Sequence, residues 1–196
     1  MESFLVSTGV VALAEIGDKT QLLSLLLAAR FRRPWPIVAG ILVATLVNHA
    51  FAGVVGHWVG TTLRPDLLRW LLGVAFLAMA IWVLVPDKVD DDCATVPGTS
   101  VFAVTLLAFF FAEMGDKTQI ATVALAAQYA SLAAVVVGTT AGMMLANVPA
   151  VLLGERMAGR LPVKRVHQVA AAIFALLGIM TLLGADTAVR AIGERL

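Results

Sequence analysis

Long apolar runs separated by short polar breaks account for most of the 196-residue chain. The first runs from about Ser3 to Ala29 and ends at the basic cluster Arg30, Arg32 and Arg33. Pro34 and Pro36 then suit a helix start, where a missing N–H costs nothing. The second run covers about Trp35 to Val59, and the third about Leu67 to Val85, which has few polar groups and is stopped by Pro86. A linker, residues 87–100, carries Asp90-Asp91-Asp92 and Pro97-Gly98. The fourth, fifth and sixth runs cover about Val101 to Ala127, Leu132 to Leu153 and Val166 to Ala185. Each run holds roughly 19–27 residues, enough to cross about 30 Å of hydrocarbon at about 1.5 Å per residue. None alternates apolar and polar residues as a barrel strand would. The pattern predicts an all-α integral membrane protein with six transmembrane helices.

The pattern also repeats. Ala14-Glu15-Ile16-Gly17-Asp18-Lys19-Thr20-Gln21 returns as Ala112-Glu113-Met114-Gly115-Asp116-Lys117-Thr118-Gln119, with Ile16 against Met114 the one difference. At the same offset of 98 (113 minus 15), Gly40 matches Gly138, Gly56 matches Gly154, Phe76 matches Phe174, and His49 falls on Asn147. The chain therefore divides into a first three-helix repeat at residues 1–86, the acidic linker at 87–100, and a second three-helix repeat at 101–196. An odd number of spans per repeat makes the second enter from the opposite face. Such inverted repeats are typical of secondary transporters, whose substrate site lies near the midplane where the halves meet.

Composition agrees with a membrane location: 60% of residues are hydrophobic and 14% charged, against about 45–50% and about 25% in soluble domains. The net charge of +1 indicates no partner, and no basic stretch with interleaved aromatics suggests nucleic acid. The single Cys93 excludes an intramolecular disulfide. The first run has no basic n-region and is read as a retained helix. Arg30, Arg32, Arg33, Lys88, Arg156, Arg160, Lys164 and Arg165 fall on one face, against Arg64, Arg69, Arg190 and Arg195 on the other. The richer face is expected to be cytoplasmic, with both termini outside.

Charge inside the apolar runs changes the picture most. An ionisable group at the centre of a spanning helix costs roughly 2.5–3.5 kcal/mol, and marks a functional site by default. Glu15, Asp18, Glu113 and Asp116 bear that cost together with Lys19 and Lys117. On a continuous helix Glu15, Asp18 and Gln21 share one side, as do Glu113, Asp116 and Gln119. With the Thr20 and Thr118 hydroxyls they form an all-oxygen set that suits hard divalent ions such as Mn²⁺, Ca²⁺ or Mg²⁺. Gathered carboxylates cannot all stay ionised without a counter-charge, so cation binding would release protons and reprotonation would expel the cation. Gly17 and Gly115 fit either close helix approach or local unwinding that frees carbonyls. Lys19 and Lys117 could pair with Asp18 and Asp116, turn away, or occupy the empty site as tethered charges. A structural salt-bridge network joining the halves is the plainer alternative for the whole motif. Asn48, His49 and Asn147 suit interhelical hydrogen bonds or, less simply, a secondary polar site or proton relay.

The doubled Glu-x-Gly-Asp-Lys-Thr motif, Glu15 to Thr20 and Glu113 to Thr118, resembles that of the Gdt-type family of manganese and calcium transporters, and the resemblance covers essentially the whole chain. It implies divalent cation/proton antiport, with Glu15, Asp18, Glu113 and Asp116 as the cation site. The short linker and the absence of an N-terminal extension resemble a compact bacterial form, which implies Mn²⁺ export across the inner membrane. The expected partners are a divalent ion, protons and lipid; no resident cofactor is expected, and a homodimer is compatible with the sequence. An exporter of a cationic organic solute uses the same machinery. An intramembrane metal-dependent enzyme would want His-rich ligands with an open position, and the motif contains no His.

Overall fold

The computed structural model describes residues 1–85, 100–153 and 163–184, and every regular element among them is helical. Eight helices follow in order: α1 (Glu2–Glu15), α2 (Lys19–Phe31), α3 (Pro34–Thr62), α4 (Pro65–Trp82), α5 (Val101–Glu113), α6 (Lys117–Gln128), α7 (Leu132–Leu153) and α8 (Val163–Leu183). Proline opens α3 and α4 at their first turns. Arg32 closes α2 in the left-handed conformation (φ 52°), its N–H donating to the Ala28 carbonyl. The Ser100 hydroxyl caps α5 by accepting from the Ala103 N–H at 3.2 Å.

Four helices, Pro34–Thr62, Pro65–Trp82, Leu132–Leu153 and Lys164–Leu183, are long and apolar enough to cross a membrane. The first and fourth apolar runs of the sequence are not. Each was expected as one continuous helix, and each is broken within the acidic motif into two short helices of 12–14 residues. Residues 87–99 of the acidic linker, with Cys93 and Lys88 among them, and the basic residues Arg156, Arg160, Arg190 and Arg195 lie outside the described residues.

Both halves thus run short helix, short helix, long helix, long helix, and the duplication extends to contacts. Gly40 of α3 lies against Phe102 and Thr105 of α5, and its counterpart Gly138 of α7 lies against Phe4 and Ser7 of α1. Phe102 and Thr105 are themselves 98 residues beyond Phe4 and Ser7. Where a side chain would intrude, glycine allows the backbones to touch: a Cβ on Gly142 would stand 2.6 Å from the Thr8 carbonyl oxygen. Without water to drive association inside a bilayer, such close backbone packing is what holds helices together.

Two apolar clusters fill the interior. One joins Val10 and Ala14 of α1, Phe76 of α4, Leu125 of α6 and Phe174 of α8. The other joins Leu23 and Leu27 of α2, Ile37 and Ile41 of α3, Phe109 of α5 and Val151 of α7. The two helix breaks lie between them in sequence and carry the buried charges. Large apolar side chains such as Phe51, Trp58, Val74 and Ile81 point outward, as a lipid-facing surface requires.

Candidate cation site at two helix breaks

The glycine of each motif is what ends the helix before it. Ile16 turns to ψ 115° after Glu15, Gly17 takes φ 85°, and Asp18 opens α2 with ψ 170°. Met114, Gly115 (φ 78°) and Asp116 (ψ 169°) repeat the geometry. Positive φ costs a side-chain-bearing residue roughly 1–2 kcal/mol, and glycine nothing comparable. A Cβ on Gly115 would meet nothing within 4 Å, so conformation and not close packing explains that glycine. The expected single-sided stripe of Glu, Asp and Gln is overturned for the same reason. Glutamate ends one helix and aspartate begins the next.

Glutamine braces each break from the helix beyond it. Gln21 Oε1 accepts from the Gly17 N–H at 2.8 Å, and Gln119 Oε1 accepts from the Gly115 N–H at 2.6 Å. Gln21 also donates through Nε2 to the Ala146 carbonyl of α7 at 3.0 Å. The amides therefore stabilise unwound backbone, a different task from the ligand role expected of them.

The aspartates do not cap their own helices, although an anion is favoured at a helix N-terminus. Their carboxylates reach across to the other half. Lys117 donates from Nζ to Asp18 Oδ1 at 3.0 Å, and Lys19 Nζ lies 3.3 Å from Asp116 Oδ1. The two breaks thus face one another through a crossed pair of ion pairs. They differ in access: the Lys117 side chain is 2% exposed and that of Lys19 29%.

Glu15 and Glu113 are wholly buried beside these pairs. Glu15 lies within electrostatic reach of Glu113, Asp18, Asp116 and Lys117. Glu113 Oε2 accepts from the Thr118 hydroxyl at 3.1 Å, whereas both Glu15 oxygens, Glu113 Oε1 and the Thr20 hydroxyl have no hydrogen-bond partner. Burying an ionised carboxylate without donors is expensive, and a proton or a cation removes that cost. Among the described residues no three His, Cys, Asp or Glu side chains form a ready metal cage. The lysine ammonium groups are what the aspartates hold here.

The remaining polar positions divide. Asn147 accepts at Oδ1 from the Ser24 hydroxyl of α2 at 2.7 Å and donates to the Met143 carbonyl at 3.1 Å. Asn48 donates to the Phe110 carbonyl of α5 at 3.1 Å. Both tie long helices to broken ones. His49 is fully buried, and neither ring nitrogen has a hydrogen-bond partner. Two residues were not singled out in the sequence. Ser24 holds Asn147, and His167 of α8 donates from Nε2 to the Ile16 carbonyl at 2.7 Å, taking up an acceptor that the break exposes. Their signal was available in the offset of 98, which pairs Ser24 with Thr122 and His167 with Arg69.

The chain is similar in sequence to known proteins. A Vibrio cholerae protein named "Putative manganese exporter" is 52% identical over 182 residues, covering 92% of this chain and 90% of its own length. The "GDT1-like protein sll0615" of Synechocystis is 26% identical over 191 residues, covering 88% and 92%. The Saccharomyces cerevisiae "Divalent cation/proton antiporter GDT1" is 21% identical over 241 residues, covering 95% and 85%. No solved structure matches the chain. The family described as "Divalent cation/proton antiporter GDT1" matches residues 3–91 and 101–188, one segment over each copy of the motif. By that match the chain is an integral membrane transporter, not an enzyme, and belongs to the divalent cation/proton antiporter family GDT1.

Proposed function

We propose that this protein exports Mn²⁺ in exchange for protons, through a site formed where the two helix breaks meet. The observation that carries the reading is the crossed pairing of Lys19 with Asp116 and Lys117 with Asp18 beside two buried glutamates. In that reading each ammonium stands in for a cation. An arriving divalent ion displaces them, taking oxygens from Glu15, Asp18, Glu113 and Asp116, with the Thr20 and Thr118 hydroxyls beside them. Thr20 and Glu15, whose oxygens lack partners, receive the ion with least rearrangement. Gln21 and Gln119 hold the backbone that lets the acids converge, and His49 serves as a secondary proton-accepting group.

Oxygen donors suit Mn²⁺ and Ca²⁺ alike. Mn²⁺ is favoured by the name of the Vibrio relative, with which half of this sequence is shared. Protons provide the counter-current because carboxylates that release a cation in a dry site must be neutralised. The proposed frame is six spans, with α1–α2 and α5–α6 each forming one discontinuous span. Residues 1–86 and 101–196 then form two inverted three-helix repeats joined by a cytoplasmic linker at 87–100. The proposed location is a bacterial inner membrane, both termini outside. Discontinuous helices at such a repeat interface are the usual setting for ion coordination in secondary transporters.

The test is transport in proteoliposomes loaded with a pH-sensitive dye. Mn²⁺ movement coupled to a proton flux, lost in Glu113→Gln, is expected, with Ca²⁺ moving more slowly. Mn²⁺ flux that leaves the internal pH unchanged, or that survives in both Glu15→Gln and Glu113→Gln, contradicts the proposal.

A further inference from the structure

The two halves share elements and many contacts, but the contacts of α4 and α8 do not follow the repeat. Helices α4 and α8 run side by side: Phe76 stacks on Phe174 with ring centroids 6.4 Å apart, and a Cβ on Gly178 would press on Leu77. Together they bury Phe76, Met79, Ala171 and Phe174 against Val10 of α1 and Leu125 of α6. The apolar cluster around α2 and α5 contains no buried residue of α4 or α8 among the described residues. The repeat exchanges α1 with α5 and α2 with α6, so the α4–α8 pair has taken one of two equivalent sides.

The same asymmetry recurs beside the ion pairs. His167 holds the carbonyl of Ile16 at 2.7 Å. Its counterpart 98 residues earlier is Arg69 on α4, and the counterpart of Ile16 is Met114. Arg69 Nε is buried and has no hydrogen-bond partner. Met114 is 53% exposed, whereas Ile16 is half-buried. One latch is made and its mate is unmade. The lysine that starts α2 is the partly exposed one, and the lysine that starts α6, on the covered side, is sealed.

We infer that the α4–α8 pair is the moving gate of the transport cycle, and that His167 and Arg69 are its alternate positioning residues. In this structure the pair packs on the α1–α6 side. In the conjugate state it packs on α2 and α5, Arg69 donates to the Met114 carbonyl, and His167 lets go of Ile16. An inverted repeat supplies two end states of similar energy for this reason: each is the other with the halves exchanged. The inference rests on the antiport reading above.

Cross-linking tests it. In a Cys93→Ser background, Gln128→Cys and Thr181→Cys place thiols on α6 and α8 where those side chains now meet, Gln128 Nε2 lying 3.4 Å from Thr181 Oγ1. A short, cleavable bifunctional thiol reagent should lower Mn²⁺/H⁺ exchange more than tenfold, and cleavage should restore it. His167→Ala should slow the initial cross-linking rate and Arg69→Ala should raise it, each about two- to tenfold, the weight of a single hydrogen bond. His167→Gln, which keeps a donor at the Nε2 position, should return the parent rate. Full exchange while cross-linked, no cross-link at all, or shifts in the same direction for both variants would overturn the inference. Loss of Mn²⁺ exchange in the uncross-linked parent would instead remove the antiport reading, and the opposed shifts in cross-linking rate would still be readable.

Discussion

The ammonium of Lys117 lies 3.0 Å from Oδ1 of Asp18, a residue 99 positions earlier in the other half. Both side chains are almost completely buried. Removing one partner of such a pair leaves a buried charge and costs about 3–5 kcal/mol. Lys117→Met and Lys19→Met should therefore both lower the melting temperature in detergent, since each leaves a buried aspartate, Asp18 or Asp116, without its ion pair. Adding Asp18→Asn to Lys117→Met should recover part of the loss. An unchanged melting temperature in both single variants would contradict the crossed pairing.

Divalent-ion binding has its own signature in stability. A ligand that binds the folded state alone stabilises it by roughly 2.7 kcal/mol at a hundred times its dissociation constant. Mn²⁺ should raise the melting temperature of the wild type in a concentration-dependent way, and Glu15→Gln or Glu113→Gln should abolish the rise. His49→Ala should keep most of it and slow transport only moderately. An unchanged Mn²⁺ response in both glutamine variants would send the cation elsewhere.

Gly115 should discriminate among substitutions by backbone preference, because space around its α-carbon is open and its φ is 78°. Asparagine, which tolerates the left-handed region, should cost little. Valine should cost at least about 1–2 kcal/mol and slow Mn²⁺ transport, as read by melting and by flux. If Gly115→Val and Gly115→Asn behaved alike, the helix break would not depend on that conformation.

Gly56 should discriminate by size. A Cβ there would overlap the Val123 carbonyl of α6, whereas one on Gly9 would meet nothing within 4 Å. Gly56→Ala should force α3 from α6 and destabilise by about 1–3 kcal/mol. Gly9→Ala should be neutral or slightly stabilising, since alanine is the better helix former. Thermal melting of the pair checks the contrast.

What could be read from the sequence was what repeats or alternates along it. The apolar runs, the prolines at the starts of α3 and α4, and the acidic octets all follow from spacing. The breaks did not, because Glu15, Asp18 and Gln21 keep a spacing that a continuous helix would place on one side. A single glycine in each run carries the difference, and a glycine in a helix can equally mean close packing. The crossed pairing of the lysines was also out of reach, because spacing defines neighbours on one helix and says nothing of partners nearly a hundred residues away. In the sequence Arg69 counts only as a charge near one end of the third apolar run. The burial of its Nε emerges from the packing of α4, which hydropathy does not encode.

Dividing one network of charges between distant parts of the chain also constrains synthesis. Asp18 and Lys19 leave the ribosome long before residues 116 and 117 exist. Until then the first acidic segment sits beside the membrane without its cross-partners, and its short, interrupted helices are poorly suited to remain in lipid. The broken α1–α2 segment, unlike the long α3 and α4, is therefore the part of the amino-terminal half whose place in the bilayer depends on the second copy. Folding is thus a joint act of the two halves. Each carries the counter-ions for the other's broken segment.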